Sequence, residues 1–193
     1  MLRLATIADV PQILAIYGPY VHTTTHTFEY EAPSLAAFEA RFREITEQFP
    51  WLVWEEDGRV LGYAYGSAPF ERAAYRWSGE VSVYLAPEAQ RKGIGRKLYA
   101  ALEEIMFYQG YRVLYAIVTS ENAASLAFHK ALGYRTVAEL PGCGMKFERW
   151  LGITWLEKRS KTGEIPSNMP ENMVSIVKDN RKFQKILDIL SLS

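Results

Sequence analysis

One stretch constrains this chain more than any other: Gln90-Arg91-Lys92-Gly93-Ile94-Gly95, set between a strand-like run and an amphipathic helix. The run before it, Glu80-Val81-Ser82-Val83-Tyr84-Leu85, is β-branched and alternating, and Pro87 stops it. After it, Ile94, Leu98, Leu102, Ile105 and Met106 recur at helical spacing up to a break at Gly110. The glycines therefore fall where a strand hands over to a helix N-terminus. There the first backbone N–H groups have no partner within the helix, and the helix dipole favours an anion. Glycine lets that backbone approach a phosphate closely, while Arg91, Lys92 and Arg96 add positive charge around it. Neither commoner phosphate loop fits, because the Gly-Lys-Ser/Thr ending and the third glycine of a dinucleotide fingerprint are both missing. The competing reading is a purely structural glycine turn.

Composition sets the frame for that signal. At 193 residues the chain is long enough for one domain with a substantial core and too short to make two expected. Its 49% hydrophobic content argues for an ordered globular protein. The 22 basic residues balance 22 acidic ones, so overall charge gives no reason to expect nucleic acid or an anionic membrane as partner. The single cysteine, Cys143, excludes an internal disulfide and a cysteine metal cluster. It stands in Pro141-Gly142-Cys143-Gly144, which reads as a turn. His22 and His26 are four apart, but the threonines between them disfavour a helix and no third ligand follows, so no metal is expected. The N-terminus lacks a signal-like apolar core, and no run approaches the ~18 apolar residues of a membrane span. The expectation is a soluble cytoplasmic protein.

Along the chain, residues 2–5 read as a first strand. Asp9 is placed to cap a helix with Pro11 just inside it and Val10, Ile13, Leu14 and Tyr17 as its apolar face. Residues 21–30 read as an irregular loop, and Ser34 as the cap of a second helix. Strands are expected over residues 51–55 and 60–66, joined by an Asp57-Gly58 hairpin, and again over residues 80–85. Residues 113–118 form a buried strand, Asn122 opens a short helix that Gly133 ends, and strands follow near residues 134–139 and 145–156. The order β-α-α-β-β-β-α-β-α-β-β is a mixed α/β arrangement around one sheet. Beyond residue 158 the chain changes character: residues 160–172 read as a polar linker. Residues 173–190 read as an amphipathic helix carrying Val174, Val177, Phe183, Ile186, Leu187 and Leu190. Packing on the domain, binding a partner and fraying are all open to it.

Taken together, these segments resemble the phosphinothricin acetyltransferase branch of the GNAT N-acetyltransferase superfamily, which includes enzymes for methionine sulfoximine and methionine sulfone. The resemblance spans residues 2–158. It rests on Thr27-Phe28, Phe49-Pro50-Trp51-Leu52-Val53, Glu80 with Val83-Tyr84-Leu85, Gln90 to Gly95, Asn122, and His129-Lys130-Ala131-Leu132-Gly133-Tyr134. It implies an acyl-CoA N-acyltransferase fold with a central, splayed mixed sheet flanked by helices, and acetyl-CoA as co-substrate in the gap between residues 80–85 and 113–118. By the same resemblance, the strand bearing Val83, Tyr84 and Leu85 receives the pantetheine arm through main-chain groups. The amides of Arg91, Lys92, Gly93, Ile94, Gly95 and Arg96 hold the pyrophosphate. Asn122 and Ala131 are carried over as further cofactor contacts, with helix capping as the alternative role of Asn122. A homodimer is implied, with active sites near the subunit interface.

Acetyl transfer to an amine needs a neutral nitrogen, yet an α-ammonium titrates near about 8, so a base must take its proton. Glu80, at the start of the cofactor strand, is the candidate base; its alternative role is a surface carboxylate or a partner of Arg76. The oxyanion needs a donor, such as an amide near Val83, and the departing thiolate needs a proton, for which His129 and Tyr134 are the candidates. Arg72 and Arg76 suit a substrate carboxylate and its phosphinate or sulfoximine group, because a guanidinium fork matches paired oxygens. Phe28, Ala73, Ala74 and Tyr75 complete the expected acceptor wall, with Trp77 equally placed for core packing. The rival functions are acetylation of a protein N-terminus or polyamine, and a non-catalytic acyl-CoA sensor.

Overall fold

The computed structural model of the protein describes residues 1–162 and 166–192. Seven strands make one sheet in the order β1-β2-β3-β4-β5-β7-β6. They are β1 (Leu2–Leu4), β2 (Trp51–Glu56), β3 (Arg59–Ser67), β4 (Ser78–Leu85), β5 (Val113–Thr119), β6 (Arg135–Lys146) and β7 (Arg149–Arg159). The helices are α1 (Val10–Thr23), α2 (Leu35–Gln48), α3 (Ile94–Gln109), α4 (Ala123–Ala131), α5 (Met173–Lys178) and α6 (Asn180–Leu192). The mixed α/β order expected up to β7 is the order observed.

Side-chain alternation along the strands separates two faces. On one, the rings of Trp51, Tyr63 and Tyr84 join Phe38 of α2 and Tyr17 of α1, with centroids 5.1–6.0 Å apart. On the other, α3 packs so closely that a Cβ at Gly79 would come within 2.3 Å of Met106, and one at Gly66 within 2.9 Å. The α3 residues Leu98, Leu102, Ile105 and Met106 are fully buried there, as their spacing predicts.

The helix ends follow local chemistry, with two departures. Ser34 accepts a hydrogen bond from the Ala37 amide, as a cap should. Asp9 stands at the N-cap of α1 but does not cap it. Its carboxylate is taken by the Arg3 guanidinium at 2.7 and 2.8 Å and by the Thr6 amide at 2.7 Å, which ties β1 to the helix start. Residues 21–23, expected in a loop, continue α1 through Pro19. The Thr23 and Thr24 hydroxyls bond back to the carbonyls of Pro19 and Tyr20 and close the last turn.

The second hairpin also differs from expectation. Pro141-Gly142-Cys143-Gly144 is not a turn but an irregularity inside β6, where the register with β7 shifts between Leu140 and Gly144. The turn falls at Phe147-Glu148, both in the left-handed region with φ of 50° and 59°. The C-terminal segment forms two helices, not one, parting at Asp179, and both pack on the domain. Met173, Ile176, Ile186, Ile189 and Leu190 are buried, whereas Val174, Val177 and Leu187, expected on the apolar face, are exposed. Residues 163–165 of the expected linker, and residue 193, lie outside the described residues. No helix among the described residues is long and apolar enough to cross a membrane.

Candidate active site

The sheet parts between β4 and β5. Strands β4 and β5 run parallel and pair only over Ser78–Val113, Gly79–Leu114 and Glu80–Tyr115. Beyond Glu80 they part, while β5 goes on pairing with β7 through Thr119. The alternation of an antiparallel ladder shows where the freed groups of β4 point. Ala86 donates its N–H to Leu61 of β3 at 2.9 Å, so Tyr84 and Ser82 also face β3, and Val81, Val83 and Leu85 face the gap. Two side-chain hydroxyls meet that edge: the Tyr99 hydroxyl lies 3.0 Å from the Val81 carbonyl, and Tyr20 donates to the Leu85 carbonyl at 2.7 Å.

The gap is a cleft of about 270 Å³. Residues 81–85 of β4 form one wall and residues 116–119 of β5 the other, and Gly95 and Tyr99 of α3, Asn122, Phe128 and His129 also line it, with Tyr20 and His26 among the remainder. At its mouth, Gly93 begins α3 in the left-handed region (φ 81°), which favours glycine, and no side chain caps the helix. The first amides of α3 therefore have no side-chain cap. Arg91 shares that left-handed conformation at φ 60°, a strained geometry for a residue with a Cβ. Arg91, Lys92, Gly93 and Arg96 are exposed, Ile94 and Gly95 buried. A Cβ at Gly95 would lie 3.3 Å from Leu85, so glycine keeps the helix start close to the β4 edge.

Glu80 stands where pairing ends. Among the described residues its carboxylate has no hydrogen bond or ion pair, and loss of hydration alone raises its pKa from 4.5 to about 7. Tyr65, on the same face, is pushed up to about 12 by burial, with the Glu80 charge adding to it. The alternative of a Glu80–Arg76 pair is not observed: Arg76 bonds to the Ala73 carbonyl at 2.8 Å.

The two acid candidates are placed differently. His129 lines the cleft and is buried, with its pKa lowered by burial. Its Nδ1 lies 2.7 Å from the Ser125 carbonyl, which assigns the resting proton to Nδ1. Its Nε2 lies 2.7 Å from the Tyr99 hydroxyl. That hydroxyl has one proton for two acceptors, Nε2 and the Val81 carbonyl, so a second proton on the imidazole reverses the first bond and frees Tyr99 to donate forward. Tyr134 lies behind this pair, its ring 5.4 Å from His129 and 6.2 Å from Tyr99, and it does not line the cleft. Burial raises its pKa strongly.

Asn122 lines the cleft and caps α4, accepting from the Ser125 amide at 3.1 Å. Tyr84 presents its ring to Tyr17 and Tyr20. Ala131 is exposed at the end of α4, away from the cleft. Phe28 lies against Gly144, where a Cβ would come within 2.3 Å of its ring. Ala73, Ala74 and Tyr75 form a short 3-10 turn with Arg72 before it and Arg76 after, all exposed. Phe70 links this loop to Tyr75, Tyr115 and Trp155, with centroids 4.6–6.0 Å apart. Arg72 and Arg76 line a separate hollow at the base of the sheet with Gln48, Phe49 and Tyr111. Among the described residues, no group of three or more His, Cys, Asp or Glu is arranged to hold a metal.

Sequence reasoning passed over Tyr99, Tyr20 and Lys146. The signal for Tyr99 was a tyrosine embedded in a core helix face, whose hydroxyl must find a partner. Lys146 is 1% exposed and donates to the Thr24 and Thr27 carbonyls at 2.9 and 2.8 Å, fixing the loop that carries Phe28.

A mixed sheet that opens beside an uncapped, glycine-started helix is the architecture of an acyl-CoA-dependent acyltransferase. The sequence matches the Acetyltransferase (GNAT) domain over residues 2–155, and the chain belongs to that family of acetyltransferases. It is 37% identical over 171 residues to a phosphinothricin N-acetyltransferase of Alcaligenes faecalis, covering 88% of this chain and 86% of the relative. It is 40% identical over 160 residues to an L-methionine sulfoximine/L-methionine sulfone acetyltransferase of Pseudomonas paraeruginosa, covering 81% and 92%. A crystal structure of a phosphinothricin acetyltransferase from Sinorhizobium meliloti in complex with AcCoA superimposes with a TM-score of 0.81 at 36% identity, covering 89% of this chain and 92% of that one.

Proposed function

We propose that this protein transfers an acetyl group from acetyl-CoA to the α-amine of a small amino acid or amino acid analogue of the phosphinothricin or methionine sulfoximine kind. The observation that carries the reading is the unpartnered Glu80 at the point where the sheet opens, with its pKa raised to about 7. A carboxylate so tuned is half deprotonated near neutrality and still basic enough to take a proton from an α-ammonium. The names of the relatives supply the acceptor class.

In this reading the amides leading into and beginning α3, from Arg91 through Arg96, hold the pyrophosphate, and the outward-facing edge at Val83 and Leu85 holds the pantetheine arm. Glu80 removes a proton from the substrate ammonium, and the freed amine attacks the thioester carbonyl carbon. The carbonyl π bond becomes an oxyanion, steadied by an amide near Val83. Collapse restores the carbonyl, breaks the C–S bond and leaves a thiolate, while the acylated nitrogen sheds its second proton to solvent. Tyr99 gives the thiolate its proton and takes another from Nε2 of His129 when the imidazole carries a second proton drawn from solvent. Phe28 and the loop of residues 67–77, with Arg72, Tyr75 and Arg76, face the acceptor.

The reading includes a homodimer, supported by the exposed apolar residues Val137, Leu140, Met145, Phe147 and Trp150 on the β6–β7 hairpin. It places the enzyme in the cytoplasm, in keeping with one free, exposed cysteine. A thiol-release assay across amino acids, their analogues, polyamines and peptides tests it. Acetylation of phosphinothricin, methionine sulfoximine or methionine sulfone ahead of polyamines and peptides is expected. Preference for polyamines or peptides would overturn the acceptor assignment.

A further inference from the structure

The family-domain match ends at residue 155, and the chain beyond it returns to the loop that the proposed function assigns to the acceptor. From Asn168 to Asn172 it forms an arm across the base of the sheet, anchored on one side and engaged on the other. The anchor is Gln109, 3% exposed at the end of α3. Its side-chain amide donates to the Glu171 carbonyl at 2.8 Å, and the Glu171 N–H donates to the Gln109 carbonyl at 2.8 Å. The same side chain donates to the Gln48 carbonyl at 2.8 Å, so α2, α3 and the arm meet at one amide. Pro170 rests on Gly110, 3.4 Å from where a Cβ would stand. Asn172 then caps α5 by accepting from the Ser175 amide at 2.7 Å, and Met173 and Ile176 are buried.

The engaged side meets residues 67–77. The Trp77 indole N–H donates to the Asn168 carbonyl at 3.0 Å, and the Arg76 guanidinium sits against the Met169 sulfur. The Trp77 carbonyl also accepts the Arg112 N–H at 2.8 Å, at the point where β4 joins β5, just before Glu80. Met169 and Pro170 complete a hollow of about 350 Å³ that Arg72, Tyr75 and Arg76 also line. Among the described residues the Arg72 side chain has no hydrogen bond or ion pair. Its placement therefore depends on the backbone of the loop.

An exposed loop must lose conformational freedom to present a guanidinium to a carboxylate, and whatever orders it beforehand strengthens binding of the acceptor. Phe70, stacked 5.5 Å from Trp155, secures the first half of this loop. The second half is secured by the arm. We propose that the arm is a positioning element for the acceptor: Asn168 and Met169 hold Trp77 and Arg76, and thereby set where Arg72 stands relative to Glu80. The inference rests on the reading that residues 67–77 contact the acceptor.

The test uses the full chain with Trp77→Phe, which removes the donor to Asn168 but keeps a ring, and Met169→Ala, singly and together. The double variant is expected to raise KM for the amino acid about three- to tenfold, leaving kcat and KM for acetyl-CoA within about twofold. Met169→Leu, which refills the wall, should restore most of the Met169→Ala loss. Thermal unfolding followed alongside separates loop placement from a general loss of fold. Unchanged amino acid KM in the double variant, while Arg72→Ala raises it, overturns the arm's role and leaves the acceptor reading intact. Unchanged KM in Arg72→Ala as well removes both.

Discussion

Glu80 and Glu157 stand in one row across the sheet, joined through Tyr115. Glu80 pairs with Tyr115 between β4 and β5, and Tyr115 pairs with Glu157 between β5 and β7. Both carboxylates are largely withdrawn from water, yet they are shifted in opposite directions. Glu157 accepts from Arg159 at 2.9 Å and from Arg135 at 2.8 Å, and the two guanidiniums hold its pKa below the usual 4.5 against the pull of burial. Glu80 has no such partner, and burial carries it up to about 7. Burial alone does not decide a carboxylate's role; the presence or absence of a cation does. One of these residues ties strands together, and the other stands without a cation partner among the described residues.

The sharpest way to break this comparison is Glu80→Gln. Turnover is expected to fall about 10²- to 10⁴-fold with acetyl-CoA affinity nearly intact, read by thiol release and calorimetry. Unchanged turnover would remove Glu80 from the chemistry. Tyr99→Phe should lower kcat by about 10- to 100-fold, since Nε2 of His129 loses its route to the cleft; an effect on KM alone would contradict that role.

The two carboxylates should also respond oppositely in stability. A folded-state pKa above 4.5 means that Glu80 supports the fold below pH 4.5 and progressively withdraws that support between 4.5 and about 7. Glu80→Gln should therefore stabilise the protein at pH 8 by about 1–3 kcal/mol, with the gain vanishing at low pH. For Glu157 the folded pKa is lowered, so its contribution is present above pH 4.5 and is lost as the pH falls through the folded value. Glu157→Gln should cost about 1 kcal/mol at pH 7, and less in acid. Denaturant unfolding at both pH values reads the two signs, and equal signs would contradict the contrast.

Much of this was legible because it is local. The glycine turn before α3 is written in adjacent residues, Gly93 at a left-handed φ and an uncapped helix start after it. The Asp57-Gly58 hairpin and the Ser34 and Asn122 caps are equally short-range. What escaped depends on distant partners. Asp9 looks like a cap until Arg3 claims it. Glycines at 142 and 144 suggest a turn, but pairing with β7 carries β6 past them, and Gly144 instead makes room for the Phe28 ring. The single amphipathic helix expected at the C-terminus splits at Asp179, and the buried set is chosen by α2, α3 and β1, not by spacing. His129 could be singled out from the sequence, but Tyr99, 30 residues away, could not. The contact that orients the imidazole exists only once α3 and α4 meet at the cleft.

The raised carboxyl of Glu80 is the claim on which the proposed chemistry turns. It can be read directly by following the side-chain carboxyl carbons of glutamate-labelled protein by NMR across pH, with Glu80→Gln assigning the signal. A carboxyl titrating near pH 7 that disappears in the variant is the predicted result. A Glu80 signal titrating near the ordinary 4.5 would contradict it.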